Sequence, residues 1–333
     1  MSDQPGAAPH HHDCLIVGAG PAGLTAAIYL ARFHLSVMVV DNGQSRAARI
    51  PLTRNLSGYP EGIAGVDLMA RMQRQAVQFG AIVTRATVTG LERVATGFDV
   101  HTDGGVVPAR SVLLATGAVN TPPPMLTPQV HDAALATGRL RYCPVCDGYE
   151  VTDRRVAVLG TGQRGCDEAL FLRSYTADLT LVAPGEDHQL NARQRTALAE
   201  ADIAIAGPCR AISLRDEAIM LDVGTTTLAF DSIYPALGLI SRTGLATALG
   251  VDVATDGSLQ VDAHQRTSIP GLYAAGDVVL GLDQISHAMG EGSVAATAIR
   301  NDLARRSPIR RRGSYPVRAP VPDPNTAGPC TPR

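Results

Sequence analysis

The chain has 333 residues, of which 45% are apolar and 18% are charged, and its net charge at pH 7 is −2. This length favours two domains with a sizeable core, and the near-neutral charge argues against a nucleic acid as partner. The Lys+Arg class consists entirely of Arg. The absence of Lys excludes a P-loop lysine, a protein-kinase lysine and a pyridoxal phosphate aldimine.

No apolar run approaches the ~20 residues that a membrane span requires, and residues 1–12 lack the apolar stretch of a secretory signal. We therefore predict a cytoplasmic protein without a membrane partner. Six cysteines in such a chain do not form the pattern of a disulfide framework. The triplet His10-His11-His12 is interpreted as part of a flexible tail over 1–12, and no metal site is predicted.

The first predicted unit is a βαβ unit, formed by an apolar strand at 14–17, a helix at 21–33 and a strand at 37–40 that ends at Asp41. A helix at 66–79 follows. Short strands at 82–88, 98–101 and 106–108 predict an antiparallel meander. The next apolar strand, at 112–114, is closed by the turn Ala115-Thr116-Gly117.

The second half repeats the βαβ pattern after a Pro-rich linker at 121–124. Its strand, helix and second strand are predicted at 156–159, 165–174 and 179–182. Short strands over 203–237, a strand at 272–275 and a closing helix at 284–303 complete the chain. The Pro- and Arg-rich segment 305–333 is predicted to be a disordered tail.

The turn Gly18-Ala19-Gly20-Pro21-Ala22-Gly23 has G-x-G-x-x-G spacing between a strand and a helix. In dinucleotide-binding folds its glycines permit the tight turn, the approach of the pyrophosphate and close helix–strand packing. The helix N-terminus offers N–H groups to the phosphates, and Asp41 is placed to accept from a ribose hydroxyl. The pattern predicts a dinucleotide site; the alternative is a Gly-rich turn in an unrelated α/β domain.

Gly276-Asp277 follows the apolar strand at 272–275. Asp277 has two interpretations. Its carboxylate either bonds the sugar-alcohol chain of a flavin or caps a turn at the strand end.

Gly160-Thr161-Gly162-Gln163-Arg164-Gly165 repeats the fingerprint in the second βαβ unit. Two such turns predict two dinucleotide sites, or one site and a vestigial one. The strand after the second turn leads into Ala183-Pro184-Gly185-Glu186-Asp187, where two acids stand and no Arg is placed to receive a 2′-phosphate. This composition argues against NADP and leaves NAD possible.

Cys143-Pro144-Val145-Cys146-Asp147-Gly148 precedes the second unit. A C-x-x-C pair forms a redox disulfide, half of a zinc site or two inert buried thiols. The redox disulfide is favoured, because the remaining cysteines occur singly and do not provide a second pair of ligands for zinc. Asp147 is placed to exchange a proton with the thiolate, or it begins an Asp-Gly turn.

The order of these motifs resembles that of the low-molecular-weight thioredoxin reductases, the class II FAD-dependent pyridine nucleotide-disulfide oxidoreductases. The shared motifs are GAGPAG at 18–23, Ala115-Thr116-Gly117, CPVCDG at 143–148, the second G-x-G-x-x-G at 160–165 and GLYAAGD at 271–277. The resemblance covers residues 13–304, and CxxCDG just before the second fingerprint is its most specific part.

The resemblance implies an α/β fold of two Rossmann-like (three-layer ββα) dinucleotide-binding domains, the second inserted into the first. The FAD-binding domain would comprise 13–120 and 245–304, and the pyridine-nucleotide-type domain with the C-x-x-C would comprise 121–244. The resemblance further implies that Cys146 faces the flavin, Cys143 attacks the partner disulfide and Asp147 is the acid. Asn55 resembles part of a loop beside the isoalloxazine, and Gln284 a contact at the flavin end of the closing helix.

The predicted function is electron transfer between FAD and the Cys143–Cys146 dithiol, with a thioredoxin-like protein or a small-molecule dithiol or disulfide as partner. We also expect a homodimer, and a rotation between domains about 121–124 and 238–244. The His-Arg-Arg that holds the NADP phosphate in the family is replaced by Ala183-Pro184-Gly185. The identity of the electron donor therefore stays open between NADPH, NADH and ferredoxin. In a dithiol oxidase the dithiol itself would be the donor, and oxygen would be the acceptor. A non-enzymatic redox sensor is the remaining alternative.

Overall fold

The computed structural model describes residues 11–309. Most of the two predicted tails, 1–10 and 310–333, lies outside the described residues. At the inner ends of these tails the structure is regular: His12 forms a bridge with Ala109, and the closing helix continues through Arg305 and Arg306. Arg305 forms an ion pair with Asp302 at 3.0 Å, and a cation in the last turn suits the helix dipole.

The first α/β unit is built on a parallel sheet. Its strands Cys14–Val17 and Val112–Leu114 are apolar throughout and buried, as expected for a parallel sheet covered on both faces. Pro21 opens the first helix at a position where no N–H is needed. In chain order the elements before the insertion are β1 (Cys14–Val17), α1 (Pro21–Arg32), β2 (Val37–Asp41), a 3₁₀ turn (Ala47–Arg49), α2 (Gly65–Gln78), β3 (Ile82–Arg85), β4 (Val88–Val94), β5 (Gly97–Thr102), β6 (Gly105–Ala109), β7 (Val112–Leu114) and β8 (Ala118–Asn120).

The second α/β unit contains the C-x-x-C and the second fingerprint. Its elements are α3 (Pro128–Ala136), α4 (Pro144–Asp147), a 3₁₀ turn (Gly148–Val151), β9 (Val156–Leu159), α5 (Gly162–Leu172), β10 (Leu179–Pro184), α6 (Ala192–Glu200), β11 (Ala204–Arg215), β12 (Ala218–Val223), β13 (Thr226–Phe230) and β14 (Ser232–Pro235). They form a sheet of order β13-β12-β11-β10-β9-β14, in which the pairs around β9 and β10 are parallel.

The chain then returns to the first unit through β15 (Leu239–Ser241), α7 (Gly244–Thr247), β16 (Leu272–Ala274) and α8 (Ile285–Arg306). β16 pairs with β7, which gives the first sheet the order β16-β7-β1-β2-β3. The first sheet is thus completed by a strand that follows the whole second unit, and the predicted insertion is confirmed. The chain leaves the first unit through β8 and returns to it through β15. These two strands pair with each other and form the antiparallel ribbon β8–β15.

One predicted element lies in a different sheet. The sequence assigns 82–88 to the antiparallel meander, whereas β3 pairs parallel with β2 in the first sheet and the meander begins at β4. The alternation of side chains along a short strand is the same for parallel and antiparallel partners, so the local pattern did not identify the partner.

Two apolar cores support the first sheet. On one face α1, α2 and α8 bury residues such as Leu24, Met72 and Ile299; on the other the meander buries Phe98 and Val100. α1 and α8 lie side by side, and a Cβ on Gly292 of α8 would collide with the backbone of Ala22 at the start of α1. In the described part of the chain, no helix combines the length and the apolar character needed to cross a membrane.

Candidate active site

Three predicted cofactor motifs meet at the carboxyl edge of the first sheet. The adjacent parallel strands β1, β7 and β16 end just before Gly18, Ala115 and Ala275. A Cβ on Gly18, which has φ +106°, would collide with the carbonyl of Ala115, and one on Gly276 would lie 3.0 Å from Ala22 Cβ. Gly18–Gly23, Ala115–Gly117 and Gly276–Asp277 therefore surround one crevice, the usual place for a ligand in an open α/β sheet.

This crevice fits a pyrophosphate. Gly20 is the N-cap of α1 and no side chain caps the helix there. A Cβ added to Gly20 would have Ser45 Oγ, at 3.8 Å, as its nearest neighbour, so no protein atom crowds the backbone at this position. Helix N-terminal N–H groups that no side chain has taken are suitable partners for phosphate oxygens.

The two predicted carboxylates of this crevice have protein partners. Asp41 accepts hydrogen bonds from the backbone N–H groups of Ala19 (2.9 Å) and Gly43 (2.7 Å), which fixes the fingerprint turn to the end of β2. Because each carboxylate oxygen has two lone pairs, Asp41 can still accept from a ribose hydroxyl. Asp277 forms an ion pair with Arg46 at 2.9 Å. The cofactor roles of both residues stay predictions.

The second fingerprint lies at the carboxyl edge of the other sheet. Gly160 follows β9, and Gly162 begins α5 with φ +59°. The backbone N–H of Gln189 donates to Thr161 Oγ1 at 2.7 Å, and the Gln189 carbonyl lies 3.7 Å from the position of a Cβ on Gly162. The segment after β10 therefore lies beside this turn and is hydrogen-bonded to it.

A disulfide joins Cys143 and Cys146, as predicted. Cys143 is the N-cap of the short helix α4, Pro144 opens that helix, and Cys143 Sγ accepts from the Cys146 backbone N–H at 3.1 Å. Both cysteines are partly exposed, whereas the free thiols Cys14, Cys166 and Cys209 are buried. Of the described cysteines, only Cys143 and Cys146 are both partly exposed and joined in a disulfide.

Of the two residues that the family resemblance places near the flavin, Gln284 contacts the disulfide and Asn55 contacts Gln284. Gln284, the N-cap of α8, places its side-chain Nε2 3.1 Å from Cys146 Sγ and 3.3 Å from Cys143 Sγ. Asn55 Nδ2 donates to Gln284 Oε1 at 2.9 Å, and the Thr53 hydroxyl donates to Asn55 Oδ1 at 3.0 Å. Residues 53, 55 and 284 belong to the first unit, so the dithiol of the second unit faces the first.

Asp147 is held by two groups that the sequence did not single out. Arg141 NH1 donates to its Oδ2 at 2.8 Å, and the Tyr234 hydroxyl donates to its Oδ1 at 2.9 Å. Burial raises the pKa of the Asp147 carboxyl, while Arg141 and the Tyr234 hydrogen bond act in the opposite direction and Glu150 acts with burial. Burial likewise raises the pKa of the Tyr234 phenol, which therefore stays a donor.

A cleft beside α4 links the dithiol to the second fingerprint. It is lined by Pro144, Val145, Gln163, Arg164, Asp167, Glu168 and Phe171. Glu168 Oε1 has no hydrogen-bond partner there, and burial raises the pKa of this carboxyl to about 7. The first turn of α5 and the C-x-x-C helix therefore share one surface of the second unit.

Arginines of the first unit contact the second unit around the dithiol. Arg49 lies 3.3 Å from Asp132 of α3, and Arg54 lies 3.7 Å from Glu150. Arg46 donates to Asn120 of the ribbon at 3.2 Å. The Arg49 and Arg54 pairs join the segment after β2 to the unit that carries Cys143 and Cys146, and Arg46 ties the same segment to the ribbon.

A family model described as pyridine nucleotide-disulphide oxidoreductase matches residues 12–292. The chain belongs to this family. The thioredoxin reductase of Treponema pallidum is 33% identical over an alignment 304 residues long, which covers 86% of this chain and 95% of that relative. The family and the thioredoxin-reductase-like subgroup predicted from the motifs are both confirmed.

Two solved structures of the subgroup are informative. Thioredoxin reductase from Streptococcus pyogenes MGAS5005 is 27% identical, with 90% of this chain and 100% of that one covered and a TM-score of 0.82. Lactococcus lactis thioredoxin reductase, described as being in the FR conformation, is 25% identical, with 88% and 99% covered and a TM-score of 0.59. The predicted fold class is confirmed. As a member of this family with a C-x-x-C disulfide, the protein is a flavin-dependent disulfide oxidoreductase.

Three residues of the site, Arg141, Tyr234 and Thr53, are not predicted from the sequence. Tyr234 comes from β14, which lies 87 residues after Asp147 in the chain. Thr53 is buried two residues before Asn55. None of the three belongs to a motif, so a signal for them existed only in the spatial arrangement.

Proposed function

We propose that the protein catalyses thiol–disulfide exchange in the manner of a thioredoxin reductase, with Cys143 and Cys146 as the reacting pair. The observation that supports this most directly is the partly exposed Cys143–Cys146 disulfide, which contacts Gln284 of the first unit, itself bonded to Asn55. A disulfide at the boundary of two nucleotide-binding units is placed to receive electrons from one side and deliver them to a partner on the other.

FAD is the proposed resident cofactor. Its pyrophosphate would lie at Gly18, Gly20, Pro21, Ala22 and Gly23, and its remaining length would pass the other motifs of the crevice and end near Asn55 and Gln284. The further motifs are Asp41, Ala115, Thr116, Gly117, Gly276 and Asp277. When bound, its flavin would carry two electrons at a time to or from the dithiol.

The residues of the dithiol have separate proposed roles. Cys143, as a thiolate, attacks a sulfur of the partner disulfide and forms a mixed disulfide, and Cys146 then displaces the partner thiolate and restores the Cys143–Cys146 bond. Asp147 supplies or accepts the proton of this exchange. The partner is a thioredoxin-like protein or a small molecule with a disulfide or dithiol.

The arrangement of the two units would have to change during a full cycle that uses a nicotinamide. The turn at Gly160, Gly162 and Gly165 and the dithiol belong to the same unit, so only one of them at a time can face the flavin. The two thioredoxin reductase structures support such a change: each covers nearly the same share of this chain, yet they superpose with TM-scores of 0.82 and 0.59. The ribbon β8–β15 is the proposed hinge; β15 lies within the predicted hinge segment 238–244, and β8 ends just before the segment 121–124.

A second candidate function is oxidation of small dithiols without a nicotinamide. The exposed acids Glu186 and Asp187 after β10 favour it, because their negative charges oppose the phosphates of a nicotinamide dinucleotide. Ala183 of β10 is buried and Pro184 and Gly185 carry no charge, so this strand end offers a 2′-phosphate no cation. In this reading the substrate dithiol supplies the electrons and oxygen accepts them.

Anaerobic reduction distinguishes the two functions. The flavin-loaded protein is mixed without oxygen with equal concentrations of NADPH, NADH or a dithiol, and the loss of visible flavin absorbance is followed in a stopped-flow instrument. Rapid reduction by a nicotinamide, followed by reduction of added thioredoxin, supports the reductase. Reduction by the dithiol alone, with reoxidation in air, supports the oxidase. A protein that binds no flavin on reconstitution contradicts both.

Three further expectations accompany the proposal. The protein is predicted to be a homodimer, which sedimentation of the flavin-loaded form would test. It is predicted to bind no nucleic acid. Its cytoplasmic location is a prediction that fractionation of the source cells would test.

A further inference from the structure

In the contact between Gln284 and the disulfide, the amide of Gln284 is the hydrogen-bond donor. Gln284 Nε2 is within 3.3 Å of both sulfurs, and its Oε1 is occupied by the Asn55 amide at 2.9 Å. The backbone of Gln284 is also fixed, because its N–H donates to Leu282 and its carbonyl accepts from Ala288 N at the start of α8. The side chain therefore presents N–H groups, and no acceptor, to the sulfurs.

The orientation of the amide is set by two further residues. The buried Thr53 donates its hydroxyl to Asn55 Oδ1 at 3.0 Å, so the Asn55 NH₂ group is the end that faces Gln284. A rotated Gln284 amide would bring its own NH₂ against that of Asn55 and its oxygen against the sulfurs. The sequence Thr53, Asn55, Gln284 is thus a directed chain of donors that ends at Cys143 and Cys146.

An amide N–H gains much more from a thiolate than from a disulfide. Hydrogen bonds to an ionised acceptor are shorter and roughly twice as strong as neutral ones, and neutral disulfide sulfur is a weak acceptor. We infer that the Gln284 amide is a catalytic residue of the dithiol: it stabilises the thiolate that forms on reduction, and Thr53 and Asn55 fix its direction. This inference rests on the proposed function and adds a residue to it.

The chemical step is the cleavage of the Cys143–Cys146 bond. The bond takes up two electrons and one proton, and yields one thiol and one thiolate. With dithiothreitol as reductant, that dithiol supplies both electrons and two protons, closes to its cyclic disulfide, and releases the second proton to water. Because Gln284 acts by stabilising the thiolate product, its removal changes the equilibrium constant for reduction of the disulfide as well as the rate of reduction.

The test measures the dithiol and does not depend on turnover. Flavin-loaded protein is equilibrated at pH 7, without oxygen, with mixtures of reduced and oxidised dithiothreitol. Free thiols are then trapped with iodoacetamide, and the modified Cys143 and Cys146 peptides are counted by mass spectrometry. The variants are Gln284→Leu, which removes the donor, and Asn55→Asp, whose carboxylate draws the Gln284 NH₂ away from the sulfurs. Gln73→Leu, on the exposed face of α2, is the matched control.

We expect Gln284→Leu to lower the equilibrium constant for reduction by about ten- to hundredfold, the value of one charge-assisted hydrogen bond. Asn55→Asp should lose at least as much, because the turned amide and the added negative charge both oppose the thiolate. Gln73→Leu should match the wild type. Equal constants for wild type and Gln284→Leu, at equal flavin content, would overturn the inference and leave the proposed function intact. A wild-type disulfide that dithiothreitol cannot reduce reversibly would remove both.

Discussion

Replacing Arg141 with Gln tests how the proposed acid is controlled. The guanidinium lies 2.8 Å from the Asp147 carboxylate, and the two side chains are only 18% and 28% exposed. Gln keeps part of the aliphatic chain and an amide donor but removes the charge. The Tyr234 hydroxyl at 2.9 Å remains, and Glu150 still opposes ionisation of Asp147.

The size of the effect follows from Coulomb's law. Unit charges ~4 Å apart attract by about 4 kcal/mol at an effective dielectric constant of about 20. Partial exposure of both groups reduces this to about 2 kcal/mol, which corresponds to between one and two pH units in proton binding. Because the cation favours the ionised carboxylate, its loss makes Asp147 retain its proton to higher pH.

The assay is the rate of thiol–disulfide exchange between the reduced protein and a small disulfide, measured from pH 5 to pH 9. The limb of the profile that Asp147 controls should move to higher pH by about one to two units in Arg141→Gln. Arg154→Gln, at an exposed position in the same unit, serves as the control and should leave the profile unchanged. An unmoved limb in Arg141→Gln would refute the reasoning.

Stability provides a second measurement with a defined sign. Burial raises the pKa of Asp147 in the folded protein, so ionisation costs stability as pH rises from the ordinary carboxyl range through the raised pKa. Without Arg141 this cost increases. Arg141→Gln should therefore lower Tm more at pH 8 than at pH 5, and Arg141→Gln/Asp147→Asn should recover most of the loss because no unpaired charge remains buried. Equal losses at both pH values would contradict this account.

The remaining predictions concern the cofactor, the dithiol and the donor. Gly20→Val should abolish FAD binding, measured as flavin absorbance after reconstitution, because the side chain would occupy the approach of the pyrophosphate to the N-terminus of α1. Cys143→Ser should leave Cys146 as a thiolate with a long-wavelength charge-transfer band, and Cys146→Ser should show none; wild-type turnover in both would exclude a catalytic dithiol. NADPH should reduce the flavin no faster than NADH, because two missing contacts to a 2′-phosphate weaken binding by ~10²–10⁴; a tenfold preference for NADPH would disprove this.

The sequence alone determined the features that depend on short spacing. G-x-G-x-x-G between an apolar strand and a helix specifies a turn whose chemistry is local, and the C-x-x-C specifies that two sulfurs can meet. Both turns lie at strand–helix junctions, and the disulfide is formed. The departure at Ala183-Pro184-Gly185 was also visible, because the absence of charge in a segment needs no tertiary information.

Only the tertiary structure decided which distant residues meet. Arg141 and Tyr234 reach Asp147 from a segment before α4 and from β14, and Gln284 reaches the dithiol from a helix more than a hundred residues away. The pairing of β3 with β2 and the pairing of β8 with β15 likewise depend on the complete fold. Local patterns specify backbone conformation and burial, whereas a polar side chain finds its partner through the packing of complete elements, which no short segment encodes.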